Sequence, residues 1–202
     1  MRKATLLRFV AALAALALMT PGLAPAALSL GGQNVFDPAT RTGYVDLVFN
    51  ETGAPDNEGL FAYDIAASLR RPNGVTGGVN LTGIERPPEN FVLDVPSGST
   101  FSVAESTANN VLANVSSNND LADIITGKKA ARIRYTVAPN TPFGFYTLVL
   151  DPNNTVFGSG DPNRELQIIV DLRDTDILIP EPSGLALLGA AGLLALRRRR
   201  VR

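Results

Sequence analysis

The chain has 202 residues, which allows one domain with short terminal segments, and it contains neither cysteine nor histidine. This composition excludes disulfides, thiolate metal sites, cysteine nucleophiles and every catalytic arrangement that uses an imidazole base. The net charge is −1, but residues 27–180 hold ten Lys and Arg against 18 Asp and Glu, a net charge of −8. Because phosphate backbones bind basic surfaces, this acidic middle predicts that nucleic acid is not a partner.

Residues 1–27 have the pattern of a secretory signal peptide. A start with three cations precedes an apolar core at residues 9–19, and Ala24 and Ala26 supply small residues at the positions that signal peptidase reads. An uncleaved anchor helix is the alternative, but this apolar core is well short of the roughly 20 residues needed to cross a bilayer. We therefore expect cleavage after Ala26 or the next residue, and export of the mature chain.

Residues 28–39 are predicted as a linker, and residues 40–176 as the folded domain. Apolar and polar residues alternate through this domain, which is typical of strands with one buried face. The segments with this pattern are YVDLVFN from Tyr44, LFAYDIAASL from Leu60, VNLTGI from Val79, FVLDV from Phe91, FSVAE from Phe101, NVLANVS from Asn110, ARIRYTV from Ala131, FYTLVL from Phe145 and ELQIIVDL from Glu165. Turn signals such as RPNG and DPNN separate them. The pattern predicts an all-β fold, an antiparallel β-sandwich of about eight or nine strands, flanked by an N-terminal signal helix and a short C-terminal apolar helix.

The order of three features refines this interpretation. They are an early strand with Tyr63-Asp64, a turn at Gly127 leading into the strand at residues 131–137, and a late strand followed by Phe157-Gly158. In this order they resemble cohesins and related carbohydrate-binding β-sandwiches. The resemblance spans most of residues 40–172, and it implies a cohesin-like jelly roll that binds a protein or a glycan and catalyses nothing.

A basic cluster follows Gly127, where cohesin-like domains have a small or acidic turn. It contains Lys128, Lys129, Arg132 and Arg134. Such a cluster on an otherwise acidic domain fits an anionic polysaccharide. The alternative, which we favour, is an ordinary solvated strand face.

Oxygen-rich turns raise the question of a calcium site. The turns offer Asp151 in DPNN, and Asp161 and Asn163 in GSGDPN. Calcium binds carboxylate and amide oxygens, but Asp-Pro-Asn is also ordinary turn chemistry. Neither turn has the spacing of an EF-hand loop, so the turn interpretation is favoured and no cofactor is predicted.

An extracellular polysaccharide-acting enzyme is a second alternative. A glycosidase needs two carboxyl groups on facing elements, one of them with a raised pKa. Asp46, Asp64 and Asp94 lie on predicted strands, but alternation points each of them to water. No catalytic residue is therefore predicted.

Residues 177–202 form the last predicted segment. Pro180-Glu181-Pro182 precedes an apolar run at 184–196 and an arginine-rich end at 197–202. A helix over the apolar run rises about 20 Å, less than the roughly 30 Å hydrocarbon core of a bilayer. In their order these features resemble a PEP-CTERM sorting signal, whose residues here are Pro180, Glu181, Pro182, Arg197, Arg198, Arg199 and Arg200.

The PEP-CTERM resemblance implies recognition by an exosortase. This membrane enzyme cuts near the Pro-Glu-Pro motif and releases or attaches the exported protein, in a setting of Gram-negative envelopes and exopolysaccharide production. We therefore expect an exported surface or matrix protein whose sandwich serves adhesion or scaffolding. Expected partners are signal peptidase and the exosortase during processing, the inner membrane as an intermediate location, and then exopolysaccharide or a surface protein at the outer envelope or matrix. The alternatives are the polysaccharide-acting enzyme and a calcium-stabilised binding module.

Overall fold

The computed structural model describes residues 27–52, 59–122, 126–142, 144–159 and 170–179. These residues form eleven strands: β1 (Ala27–Asp37), β2 (Thr42–Thr52), β3 (Leu60–Arg70), β4 (Val79–Glu85), β5 (Ser99–Ser106), β6 (Asn110–Ser117), β7 (Lys129–Val137), β8 (Gly144–Leu150), β9 (Val156–Ser159), β10 (Asp171–Leu172) and β11 (Thr175–Ile179). Within these ranges no residue is helical, and no helix is long and apolar enough to span a membrane.

The strands form two sheets. Sheet 1 has the order β10-β1-β2-β7-β4, and sheet 2 has the order β11-β8-β3-β6-β5, with β9 also paired to β3. Among the described strands only β1 and β10 pair in parallel. Eight of the strands have seven or more residues, so the predicted all-β, antiparallel sandwich is confirmed.

The core lies between the sheets, where alternation places it. On β7, Ile133, Tyr135 and Val137 are buried as predicted. On β3 a register shift between Leu60 and Ala62 puts Leu60, rather than Phe61, fully inside. Full burial of each large apolar side chain contributes about 1.5–3 kcal/mol.

The predicted linker at residues 28–39 is instead mostly strand β1. It pairs with β2 over eleven residues, from Ala27 with Thr52 to Asp37 with Thr42. Leu30 is fully buried in the core. The segment contains Gly31-Gly32 and few apolar residues, so its sequence alone is typical of a connection. Pairing with β2 is what gives it a strand conformation.

The predicted strand FVLDV is a turn rather than a strand. Phe91 makes a single bridge to Lys129, and Phe91, Val92 and Leu93 are all buried. Three consecutive buried side chains are incompatible with alternation, so this segment fills the space between the sheets at one end. Pro88 and Pro96 on either side oppose a regular ladder.

The C-terminal end of the sandwich differs from the predicted boundary at residue 176. β10 pairs with β1 of sheet 1, and two residues later β11 pairs with β8 of sheet 2. Ile177 and Ile179 on β11 are buried, so the sandwich includes residues 177–179 of the predicted sorting segment. The predicted signal peptide with Ala24 and Ala26, and the predicted sorting residues from Pro180 onward, lie outside the described residues.

Candidate functional site

Of the predicted calcium ligands, Asp151 lies in a turn with internal hydrogen bonds. One carboxylate oxygen of Asp151, Oδ1, accepts a hydrogen bond from the backbone N–H of Asn153 at 2.9 Å, and Oδ2 accepts one from Nδ2 of Asn154 at 2.7 Å. The bond from Asn154, and then that from Asn153, lowers the pKa of Asp151 below its ordinary value. Asp161 and Asn163 lie outside the described residues, within which no cluster of three potential metal ligands occurs.

Three of the four predicted basic-cluster residues are paired with acids on the outer face of sheet 1. Lys129 Nζ lies 2.9 Å from Asp46 Oδ2. Arg132 donates from Nε to Asp46 Oδ1 at 2.6 Å and from Nη2 to Oδ2 at 2.8 Å. Arg134 Nη2 lies 2.7 Å from Glu85 Oε1. Lys128 precedes them in the turn and is half-buried. The cations that we considered for an anionic polysaccharide therefore mostly serve internal ion pairs.

Asp46 is the most enclosed of these charged groups. Alternation correctly assigns it to an outer face, but the expectation that it meets water is wrong, because Lys129 and Arg132 cover it and leave it 4% exposed. The Arg132 guanidinium in turn lies over the Tyr44 ring, 3.8 Å from its centroid. Burial raises the pKa of Asp46, but hydrogen bonds from Arg132 and Lys129, and their charges, outweigh burial and hold the pKa below its ordinary value.

The other two acids considered for glycosidase chemistry also have polar partners, on separate surfaces. Asp64 lies on the outer face of sheet 2 and accepts a hydrogen bond from Asn114 Nδ2 at 2.6 Å. Asp94 lies in the connection between β4 and β5, 2.7 Å from Arg86 Nη2. The three acids therefore do not form the facing carboxyl pair that glycoside hydrolysis requires.

The outer face of sheet 2 carries a groove that our sequence analysis missed. Its volume is about 560 Å³, and its lining includes Ala66, Ser68, Leu112, Val149, Glu105 and Asp151. Small side chains of β3 form the floor, and larger apolar side chains of β6 and β8 flank them. The sequence feature that corresponds to this groove is the run of small residues at the outward positions of β3. It predicts a groove only when the strands on either side of β3 are known.

One wall of the groove is fixed where β3 changes partner from β8 to β9. Thr155 Oγ1 accepts from the backbone N–H of Ala66 at 3.1 Å and lies 3.2 Å from its carbonyl oxygen. The same carbonyl accepts from the backbone N–H of Asp151 at 2.9 Å. The turn that contains Asp151 is thus hydrogen-bonded directly to the floor of the groove. It places the Asp151 carboxylate at the rim.

Glu105 gives the opposite wall of the groove. A register shift between Val103 and Glu105 interrupts the pairing of β5 with β6, after which Glu105 pairs with Leu112. The groove therefore has a floor of small side chains, flanked by Leu112 and Val149, between two acidic rims. The outer face of sheet 1 carries a smaller depression of about 340 Å³, whose lining includes Val35, Tyr44, Thr82 and Arg134. It differs from the groove in that its central charged residues are ion-paired with one another.

No protein-family model and no curated protein sequence matches the chain. Solved structures with a similar fold include three cohesins. The seventh ScaB type I cohesin of Pseudobacteroides cellulosolvens has a TM-score of 0.58 and 16% identity, over 76% of this chain and 92% of that chain. The sixth cohesin of scaffoldin B from Acetivibrio cellulolyticus, in complex with a variant Cel5 dockerin, has a TM-score of 0.57 and 8% identity, over 76% and 99%. A type I cohesin–dockerin complex from Clostridium thermocellum has a TM-score of 0.55 and 11% identity, over 76% and 99%.

These similarities establish the fold. The chain forms a cohesin-like β-sandwich, which confirms that part of the sequence interpretation. At identities of 8–16%, these similarities show the fold of this chain and do not identify the residues of a binding surface.

Proposed function

We propose that the sandwich is a non-catalytic module that binds a partner protein in the groove of sheet 2. The observation that carries this proposal is a groove in which Leu112 and Val149 lie between the carboxylates of Glu105 and Asp151. Protein interfaces combine an apolar centre with a polar rim in the same way. A partner that places an apolar side chain against Leu112 and Val149, and a cation near either carboxylate, would match this surface.

A protein fits the groove better than a glycan does. Sugar rings are bound by stacking on aromatic side chains, and no aromatic residue is among those that line the groove. The chain also has no tryptophan. The cohesins from Acetivibrio cellulolyticus and Clostridium thermocellum were solved in complex with dockerins, so this fold does present protein-binding surfaces. We extend only that class of partner to this chain.

We further propose that this binding takes place outside the cell. Export rests on the signal-peptide pattern of residues 1–27, and sorting rests on the Pro-Glu-Pro tail at residues 177–202. Mass spectrometry of the product from hosts with and without an exosortase tests the sorting. Equal masses in the two hosts would contradict it.

Substitution in the groove tests the proposed binding surface. Ser68→Arg places a long cation on the floor, beside residues that a partner would bury, and it leaves the core untouched because Ser68 faces outward. The full chain is immobilised, envelope and secreted proteins are captured, and the proteins retained are identified by mass spectrometry. We expect Ser68→Arg to weaken retention of the captured partner by about tenfold or more, as a disrupted interface centre does.

The matched control is Thr82→Arg, which adds the same side chain to the depression on the outer face of sheet 1. We expect this variant to retain the partner as the unsubstituted chain does. Equal retention by all three chains would contradict a partner site in the groove. Equal loss in both variants would show that the added charge, and not the groove, is responsible.

A further inference from the structure

Four connections and the last described residue meet at one end of the sandwich, which we call the exit end. The connections are residues 38–41, 71–78, 107–109 and 138–142. Strand register places them together, because Thr42 pairs with Thr136, Val79 with Val137, and Ile179 with Gly144. The backbone N–H of Leu81 donates to the carbonyl of Ala108 at 3.0 Å, which brings the β5–β6 connection beside β4.

The two ends of the sandwich differ in charge. At the exit end, Asp37 closes β1 and accepts hydrogen bonds from the backbone N–H of Ala39 and from Thr40 Oγ1. The exit-end connections hold Arg41 and Arg71 and no Asp or Glu. Among the described residues, the connections at the opposite end hold Glu89, Asp94 and Asp120 against Arg86 and Lys128. Over the described residues, two arginines against Asp37 leave the exit end more positive than the opposite end.

The two exit-end arginines are bonded to backbone oxygens. Arg41 donates from Nε to the carbonyl of Val137 at 3.0 Å, and Arg71 donates from Nη2 to the carbonyl of Val79 at 3.1 Å. These bonds are to neutral backbone oxygens, so they hold each guanidinium in place without neutralising it. A fixed positive charge at this end attracts an anionic surface.

Two large apolar side chains are exposed beside this end. Phe145 is 59% exposed and Leu178 is 45% exposed, and they are register partners on β8 and β11 at the outer face of sheet 2. The nearest acid on that face, Asp176, accepts a hydrogen bond from Thr147 Oγ1 at 2.9 Å, and Asp174 lies 3.2 Å from Arg70 Nη2. The pair is thus an apolar corner beside two carboxylates, of which Asp174 is ion-paired and Asp176 is bonded to a neutral hydroxyl.

The chain leaves the sandwich at this corner. β11 ends at Ile179, and the apolar run of the sequence begins at Gly184. Four extended residues span at most about 14 Å. If the apolar run enters a bilayer, the exit end is held within about that distance of the lipid surface.

We propose that the exit end, with Phe145 and Leu178, rests on an anionic lipid surface. Arg41 and Arg71 face lipid phosphates, and the Phe145–Leu178 pair enters the boundary between headgroups and acyl chains. The opposite end, whose described connections hold more acidic than basic residues, is repelled from the same surface, so the sandwich stands with its strands pointing away from the bilayer. The proposal rests on the tail interpretation for its tether and is independent of partner binding in the groove.

Fluorescence quenching in the full chain tests this orientation. Because the chain has no cysteine, one introduced cysteine carries an environment-sensitive fluorophore at a single chosen site. Asn73→Cys marks the exit end and Asn119→Cys marks the opposite end, and both residues are exposed. The labelled chains are reconstituted with vesicles of phosphatidylcholine and phosphatidylglycerol that contain brominated lipid. We expect quenching at Asn73→Cys to be several times stronger than at Asn119→Cys.

Substitution of the apolar corner provides the second readout. Phe145→Ser with Leu178→Ser should lower the quenching at Asn73→Cys to the level at Asn119→Cys, and vesicles without phosphatidylglycerol should lower it as well. The matched control is Leu121→Ser, which removes a side chain that is 50% exposed at the opposite end and should change nothing. Circular dichroism confirms that each variant is folded.

Each other outcome overturns the proposal. If the chain binds vesicles and quenching is equal at both sites, the tail is anchored but the sandwich has no fixed orientation on the surface. A shift in Asn73→Cys emission without vesicles that the serine variants abolish would show that the tail or a second copy covers the corner. Failure of the chain to bind vesicles would overturn both this proposal and the tail interpretation, whereas partner retention in the groove would be unaffected in every case.

Discussion

At the scale of single residues, the largest departure from expectation is the ion-pair network around Asp46. Periodicity along β2 assigns Asp46 to an outer face, and periodicity along β7 assigns Arg132 to one as well. The two residues are opposite each other because β2 pairs with β7. The sequence of either strand alone does not predict that pairing. The sequence therefore predicts the direction of each charged side chain, and register decides which of them remain available to a ligand.

The Asp46 network has a pH dependence whose direction follows from the lowered pKa. Because the folded state holds the pKa of Asp46 below its ordinary value of 3.8, folding favours the ionised carboxylate. This stabilisation is present above the ordinary value and is lost as the pH falls through the lowered folded value. At neutral pH we expect Asp46→Asn to lower the free energy of unfolding by about 3 kcal/mol, because two nearly buried cations lose their carboxylate.

Urea unfolding of both chains between about pH 7 and pH 2 measures this effect. We expect the two stabilities to converge at the acid end, since protonation of Asp46 removes the same charge as the substitution. Asp64→Asn is the control, because Asp64 lies on the other sheet and its partner among the described residues is the neutral side chain of Asn114. A constant difference between wild type and Asp46→Asn at every pH would contradict the assignment.

At the scale of elements, the strands that sequence analysis recognised are those whose apolar residues alternate. β3 and β7 were recognised in this way, whereas β1 was interpreted as a linker. Gly31-Gly32 breaks the alternation in β1, yet Gly32 is needed there because the chain packs closely against β11. A Cβ on Gly32 would lie closer than 3.0 Å to the side chains of Thr175 and Val45.

Gly32→Ala should therefore destabilise the sandwich. The added methyl group must displace two packed side chains, and we expect a loss of about 1–3 kcal/mol. Gly83→Ala on β4 is the matched control, because a Cβ there has no neighbour within 4 Å, so we expect no loss. Thermal unfolding of the two variants measures the difference. Equal melting temperatures would show that β1 and β11 are not in close contact.

At the scale of the whole molecule, the class of fold was predictable and the groove was not. Strand-length alternation between turn signals is sufficient to predict an all-β sandwich. The groove combines residues as far apart in sequence as Ala66, Leu112 and Val149, on three strands whose neighbours are not consecutive in the chain. Its position depends on strand order, and the alternating pattern of each strand is the same for many orders.

The C-terminal boundary of the sandwich has a consequence for the whole chain. Ile177 and Ile179 are core residues, so a cut near Pro180 would leave the core complete, whereas a cut at the boundary predicted from sequence, residue 176, would remove both. We expect a chain of residues 27–182 to unfold at the same urea concentration as the full chain. A chain of residues 27–176 should be less stable by at least about 4 kcal/mol, because loss of each buried isoleucine costs about 2–5 kcal/mol.

Urea unfolding followed by circular dichroism compares the three chains, with detergent present in every sample so that the apolar run of the full chain stays in solution. A fourth chain, residues 27–182 with Leu178→Ala, is the control, because Leu178 lies on the same strand and faces outward. This substitution should change stability by no more than about 0.5 kcal/mol. If the chain ending at residue 176 were as stable as the others, β11 would be peripheral to the fold. The exit of the chain at the Phe145–Leu178 corner would then have no structural basis, because that exit depends on β11 being held against β8 up to its last residue.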